Sequence, residues 1–83
     1  MVTSNHVAGM REGCLVWDAN AERPDIRFCD GTYYGGLHCG NTLDVLIRSE
    51  WLPARVEYSW SAGSWFLDGV ENGDEMLWLT VRK

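Results

Sequence analysis

The chain has 83 residues, of which 46% are hydrophobic and 23% charged, and this composition is typical of one small globular domain rather than a disordered segment. With 12 acidic and 7 basic residues the net charge is −5 and no basic run is present, which disfavours direct nucleic-acid binding. No apolar stretch approaches the ~18 residues that cross a bilayer, and three cysteines without an export signal indicate reduced thiols in a cytoplasmic protein.

The N-terminal part of the chain predicts an arm followed by short strands. Residues 1–12 are polar and without period, so we expect a flexible N-terminal arm before a single small β domain over residues 13–83. The first β-type run covers residues 14–17. A second run of alternating polarity covers residues 25–29. Pro24 can occupy the first position of this strand, because its missing N–H group is not needed for pairing there.

The middle of the chain predicts a hairpin. Residues 42–48 alternate apolar and polar side chains, and residues 51–60 do the same after a tight turn at Ser49-Glu50. The inward face of the second strand is predicted to carry Leu52, Ala54, Val56, Tyr58 and Trp60. Pro53 lacks a backbone N–H, so this part of the strand is predicted to be an edge or a bulge.

The C-terminal third predicts two more strands, over residues 64–68 and 76–81, separated by a polar acidic loop over residues 69–75. Five to six short strands favour an all-β domain. We expect a small SH3-like barrel or a rolled antiparallel sheet, since closing the sheet removes vulnerable edges. The alternative folds are an OB-type barrel and an open meander.

Two runs of residues resemble a known family. They are the loop run Tyr-Tyr-Gly-Gly-Leu-His-Cys-Gly, which begins at Tyr33, and the strand run Trp-Leu-Pro-Ala-Arg, which begins at Trp51. The pattern resembles the small bacterial family called domain of unknown function 5348, over roughly residues 13–69. The resemblance implies a bacterial protein, mostly Gram-positive, often carried on plasmids, conjugative elements or prophages, with no known activity. A looser likeness exists to Tudor-type and other SH3-like modules.

The turn before Trp51 departs from that family pattern. Family members tend to have an Asn-Gly-type turn there, where this chain has Ser49-Glu50. Because Ser and Glu disfavour positive φ, a simple type I′ turn is less strongly predicted here than in the family.

Neither a metal centre nor a catalytic group is predicted. Cys14, Cys29, Cys39 and His38 could supply four ligands, but zinc sites normally contain close Cys pairs, and none is present. We therefore expect buried thiols and one loop histidine, with no metal and no cofactor. Cys39 beside His38 lacks a third group that would activate a thiol, and the carboxylates fall at strand ends or turns. The chain is accordingly predicted not to be an enzyme.

The aromatic residues are the binding candidates. Trp and Tyr are enriched at interface hot spots, and five of them lie in or beside the loops of the predicted domain: Tyr33, Tyr34, Trp51, Trp60 and Trp65. The acidic loop adds the carboxylates of Glu71, Asp74 and Glu75, which could meet a basic surface. The competing interpretation is that most aromatics form the core, and on that basis we expect Trp17, Trp65 or Trp78 to be buried.

These observations predict a non-catalytic protein-binding module of a bacterial mobile element. Its most specific form is an acidic inhibitor of a host defence nuclease of the CRISPR type, bound to that nuclease's basic surface. The alternative is an SH3-like reader of a peptide or modified residue that uses Trp51, Trp60 and Trp65. A weaker alternative is a single-stranded nucleic-acid binder that stacks bases on Tyr33 and Tyr34. The oligomeric state stays open.

Overall fold

The structure, a computed structural model, describes residues 9–83 and contains six strands in that range. The strands are β1 (Glu12–Asp18), β2 (Arg23–Phe28), β3 (Thr42–Ile47), β4 (Glu50–Ser59), β5 (Ser64–Asp68) and β6 (Thr80–Arg82). They form one antiparallel sheet in the order β2-β1-β6-β3-β4-β5. Within these 75 residues there is no helix that is long and apolar enough to cross a membrane.

The all-β prediction is confirmed, and of its two forms the rolled antiparallel sheet is the correct one, because the sheet is not closed into a barrel. Its edges are covered by loops instead. Tyr34 and Leu37 donate their backbone N–H groups to Ile26 and Pro24 on the outer edge of β2, at 2.9 and 2.8 Å. On the other edge, Leu67 of β5 donates to the carbonyl of Gly73 at 2.9 Å. Loop cover protects sheet edges from further pairing, as closure would.

The core is built mainly from aliphatic side chains, with one aromatic ring, Phe28, and one methionine, Met76. Its buried members are Leu15, Ile26, Phe28, Leu37, Leu43, Val45, Ala54, Val56, Leu67, Met76 and Val81. None of the five tryptophans is among them. The expected burial is wrong for Trp17 and Trp78, which are 46% and 74% exposed, while Trp65 is half-buried against the core.

The first two strands are longer at their N-terminal ends than the sequence predicted. β1 begins at Glu12, inside the range predicted for the arm, and residues 1–8 of that arm lie outside the described residues. Pro24 lies within β2 opposite Trp17, which is tolerated because β2 is an edge strand.

The central hairpin has the predicted strands but a different turn. Its two loop residues are Arg48 and Ser49, not Ser49-Glu50, because Ile47 pairs with Glu50. Both loop residues have positive φ, 50° and 69°, as a type I′ turn requires, although their side chains disfavour positive φ. The inward alternation of β3 and β4 sets the register, and a two-residue connection at that register requires the twist of a primed turn.

Pro53 lies at an edge, as predicted. Val56 donates its backbone N–H to Asn41 on the β3 side at 2.8 Å. Because donors alternate along a strand, the nitrogen of Pro53 faces the opposite side. There β5 pairs only with residues 55–59 of β4, so no ladder bond is lost at Pro53.

The predicted last strand over residues 76–81 is wrong for residues 76–79, because β6 begins at Thr80. Met76–Leu79 form a turn in which the Leu79 N–H reaches the Met76 carbonyl at 3.3 Å. Trp78 then donates to the Leu15 carbonyl at 2.7 Å, while Leu15 donates to Leu79 at 2.9 Å, so two residues oppose one. With Trp78 at φ 73°, this is a bulge of the type that normally has glycine at its first position. The bulge ends the predicted alternation and leaves Leu77 and Trp78 exposed.

Candidate functional site

Three aromatic side chains of the β4–β5 hairpin form a continuous row, here called the aromatic row. Tyr58 of β4 lies opposite Trp65 of β5, with ring centroids 5.3 Å apart and planes at 70°. Trp60, in the turn after β4, meets the other side of Tyr58 at 4.9 Å and 73°. Such edge-to-face pairs contribute about 0.5–1.5 kcal/mol each beyond burial. Trp60 therefore has one stabilising contact, with Tyr58, although this residue is 88% exposed.

Beside the row lies a groove of about 390 Å³, here called the aromatic groove. Its apolar walls are Trp17, Tyr58, Trp65 and Leu77, and two carboxylates, Glu22 and Asp74, also line it. Trp17 stands at the end of β1 and Glu22 in the turn that follows. Asp74 and Leu77 belong to the segment between β5 and β6, so three distant parts of the chain build the groove.

The two carboxylates of the groove are exposed and enter no ion pair within residues 9–83. The nearby cation, Arg23, lies 5.6 Å from the centroid of the Trp65 ring. Its guanidinium is held by the Leu37 carbonyl at 3.1 Å and by Nδ1 of His38 at 2.8 Å. The groove therefore combines aromatic walls with negative charge that no side chain of the described region neutralises by direct pairing.

The structure brings together some of the predicted site residues and separates others. Trp60 and Trp65 share the aromatic row, and Asp74 lines the adjoining groove. Trp51 lies elsewhere, half-buried with the Arg82 guanidinium 4.5 Å above its ring. Glu71 and Glu75 are exposed in the acidic loop but do not line the groove. The assignment of Trp60 to the inward face is wrong, because β4 ends at Ser59 and its alternation ends with it.

Tyr33 and Tyr34 are exposed on a separate loop that a buried aspartate anchors. Asp25 is 4% exposed, and its Oδ1 accepts the backbone N–H groups of Ile26, Gly35 and Gly36 at 2.8, 3.0 and 2.9 Å. Gly35 and Gly36 have φ of 110° and 102°, a region that favours glycine. The Tyr-Tyr-Gly-Gly run thus has a structural role, since it wraps a carboxylate of β2 and covers the sheet edge.

The cysteines differ from the expected buried thiols. Cys29 and Cys39 are exposed, and only Cys14 is half-buried. Burial raises the pKa of the Cys14 thiol, and the charge of Arg27 opposes part of that rise. Among residues 9–83, no three His, Cys, Asp or Glu side chains are grouped so that they could hold a metal ion.

Of the nine residues that line the groove, sequence reasoning found Trp65 and Asp74 and missed seven, among them the wall and charge residues Trp17, Glu22, Tyr58 and Leu77. Trp17 and Tyr58 occupy inward positions of their strands, but they lie at strand ends where the core no longer covers them. Leu77 was assigned to a strand that the bulge replaces. The sequence did indicate that these two aromatics could be exposed, because both stand close to predicted turns. Near a turn, alternation no longer implies burial.

Comparison with known proteins supports the fold and the family. The family model described as domain of unknown function (DUF5348) matches residues 13–83. A crystal structure of a protein from Ruminococcus gnavus, a structural genomics target, is 41% identical in sequence to this chain. The match covers 88% of this chain and 100% of that one, with a TM-score of 0.77. No curated protein matches the chain.

Proposed function

We propose that this chain, which belongs to the family described as domain of unknown function (DUF5348), is a non-catalytic protein-binding module. Its contact surface is the aromatic row together with the aromatic groove. The observation that carries the proposal is the 88% exposure of the Trp60 indole, which stands in edge-to-face contact with Tyr58 at the end of the row.

Exposed indoles at a defined position are the feature that favours a protein partner. A tryptophan contributes a large area at low conformational cost when it is buried by a partner, which is why Trp and Tyr dominate interface hot spots. Here the core is mainly aliphatic and contains no tryptophan. Trp17 and Trp60 are exposed, Trp17 in the groove that Tyr58 also lines and Trp60 in contact with Tyr58. The fold does not need the Trp60 indole for its core, so the side chain is available for contact.

The inhibitor of a CRISPR-type nuclease is a narrower form of the same proposal. The net charge of −5 and the exposed carboxylates of Glu71, Asp74 and Glu75 support it, because they complement a basic nucleic-acid channel. In this form the module acts in the cytoplasm of a bacterium that carries the mobile element. A purified CRISPR effector nuclease of the host tests it directly: DNA cleavage slowed at equimolar protein supports the inhibitor, and unchanged cleavage removes it.

The first experiment is affinity capture from the native host lysate with tagged wild-type protein and two variants, followed by mass spectrometry. Trp60→Ala removes the exposed indole of the row. Tyr33→Ala is the matched control, because it removes an exposed ring from the separate loop. Both sites are exposed, so each variant is expected to fold, and circular dichroism checks this.

We expect one stoichiometric protein to be retained by wild type and by Tyr33→Ala, and to be lost with Trp60→Ala. Retention by Trp60→Ala together with loss in Tyr33→Ala would move the contact surface to the loop. If no protein is captured at all, a mobility shift of single-stranded DNA at low salt that wild-type protein gives and Tyr33→Ala does not would favour base stacking on the tyrosine loop instead.

A further inference from the structure

The geometry points to an arginine side chain of the partner, in an extended and exposed segment, as the ligand of the aromatic groove. This inference rests on the proposed function and specifies what the binding module recognises. It follows from the charge, the walls and the size of the groove.

Charge is the first argument. Glu22 and Asp74 line the groove, and neither forms an ion pair in the described part of the chain, residues 9–83. The four ion pairs of that region use other carboxylates, namely Asp30, Asp44, Glu57 and Asp68. A cation that enters the groove gains two carboxylate partners without displacing a cation from either.

The walls are the second argument. Trp17, Tyr58 and Trp65 present aromatic rings, and a guanidinium stacks on such rings while its fork of N–H groups reaches carboxylates. An ammonium is a compact, strongly hydrated point charge and gains less from both contacts. The molecule already contains one guanidinium–ring contact of this kind, because the Arg23 guanidinium lies 5.6 Å from the Trp65 ring centroid, although its N–H groups reach Leu37 and His38 and no carboxylate.

Size is the third argument. A groove of about 390 Å³ lies at the low end of the roughly 300–1,000 Å³ of ligand pockets. It admits one long side chain with its flanking backbone but not a folded element. The ligand is therefore a side chain from an extended segment, and Trp60 and Leu77 remain free to contact the residues beside it.

The test uses full-length protein and short Gly/Ser peptides that carry one central residue: arginine, citrulline or lysine. Citrulline keeps the planar shape of arginine and removes its charge. Binding is followed by NMR through the indole N–H signals of the tryptophans. Trp17 and Trp65 line the groove, while Trp51 does not and serves as an internal control.

Three carboxylate variants complete the experiment. Glu22→Gln and Asp74→Asn remove the groove charges without changing side-chain size. Glu71→Gln is the matched control, since Glu71 is exposed in the same acidic loop as Asp74 but does not line the groove.

We expect the arginine peptide to shift the Trp17 and Trp65 signals and to bind more tightly than the lysine and citrulline peptides. Each groove variant should weaken it by about two- to fivefold, the range of exposed ion pairs, and Glu71→Gln should leave it unchanged. Equal binding of the citrulline peptide, tighter binding of the lysine peptide, or equal weakening by Glu71→Gln would overturn the assignment, as would the absence of any shift.

The capture experiment separates this inference from the proposal it rests on. If the peptides fail but Trp60→Ala still releases the captured protein, the binding module stands and the arginine ligand is wrong. If capture is also insensitive to Trp60, both are wrong.

Discussion

Trp78 allows the backbone strain at the bulge to be measured. It has φ 73° at a turn position where glycine is normal, and its side chain is 74% exposed. We compare Trp78→Ala with Trp78→Gly, because both remove the indole and its contacts equally. The difference between the two variants then reports the backbone alone.

The magnitude follows from two opposing terms. An L-residue in the left-handed region costs about 1–2 kcal/mol, and glycine avoids that cost. Glycine in turn loses about 0.4–1 kcal/mol more conformational entropy on folding than alanine. Trp78→Gly should therefore be more stable than Trp78→Ala by about 1 kcal/mol, which corresponds to about 4–8 °C in Tm for a domain of this size.

Thermal and urea unfolding followed by circular dichroism measure this difference. Thr80 supplies the control pair, since it is an exposed residue of β6 in the same segment and has no positive φ. There Thr80→Gly should be less stable than Thr80→Ala by about 0.5–1 kcal/mol. If Trp78→Ala is as stable as Trp78→Gly or more stable, the backbone at position 78 is not strained.

Three further predictions concern other parts of the fold. Asp25→Ala should lower the free energy of unfolding by about 3 kcal/mol in urea titration, because three backbone N–H groups lose their acceptor, and Asp25→Asn should lose less; equal losses would contradict the anchoring role. Ser49→Gly should raise the Tm by a few degrees, since it relieves a φ of 69°, and an unchanged or lower Tm would argue against the primed turn. At pH 8 Cys14 should be the last thiol that iodoacetamide labels, because its raised pKa leaves less thiolate; mass spectrometry that finds it labelled before Cys29 or Cys39 would show that burial does not control its reactivity.

Much of the fold could be predicted from local patterns. The alternation of residues 42–48 and 51–60 predicted β3 and β4 with their pairing, because a period of two places one face inward wherever a strand continues. Pro53 was predicted at an edge for a reason that is equally local, the absence of an N–H group. The family was recognised from the loop and strand runs, and the match over residues 13–83 confirms it.

Several errors share one cause, which is that alternation was extended beyond the end of a strand. Trp60 follows β4 by one residue and is exposed, and Leu77 and Trp78 fall in a turn that interrupts the predicted last strand. The turn lies at Arg48-Ser49 and was predicted at Ser49-Glu50, because the alternation of residues 42–48 was extended one residue past Ile47. The positive φ of both turn residues goes against their side-chain preference. The register of the hairpin overrides that preference, since a slip of one residue would turn the inward face of β3 outward.

The sequence by itself thus determined an all-β domain, its acidic charge and its central hairpin, because composition and period two act over neighbouring residues. Only the tertiary structure decided that the core is mainly aliphatic and that the tryptophans lie outside it. It also decided which side chains form the groove, since Trp17, Trp65 and Asp74 come from separate parts of the chain. Their proximity arises when the rolled sheet brings the end of β1 to the β4–β5 hairpin, and no local pattern records that distance.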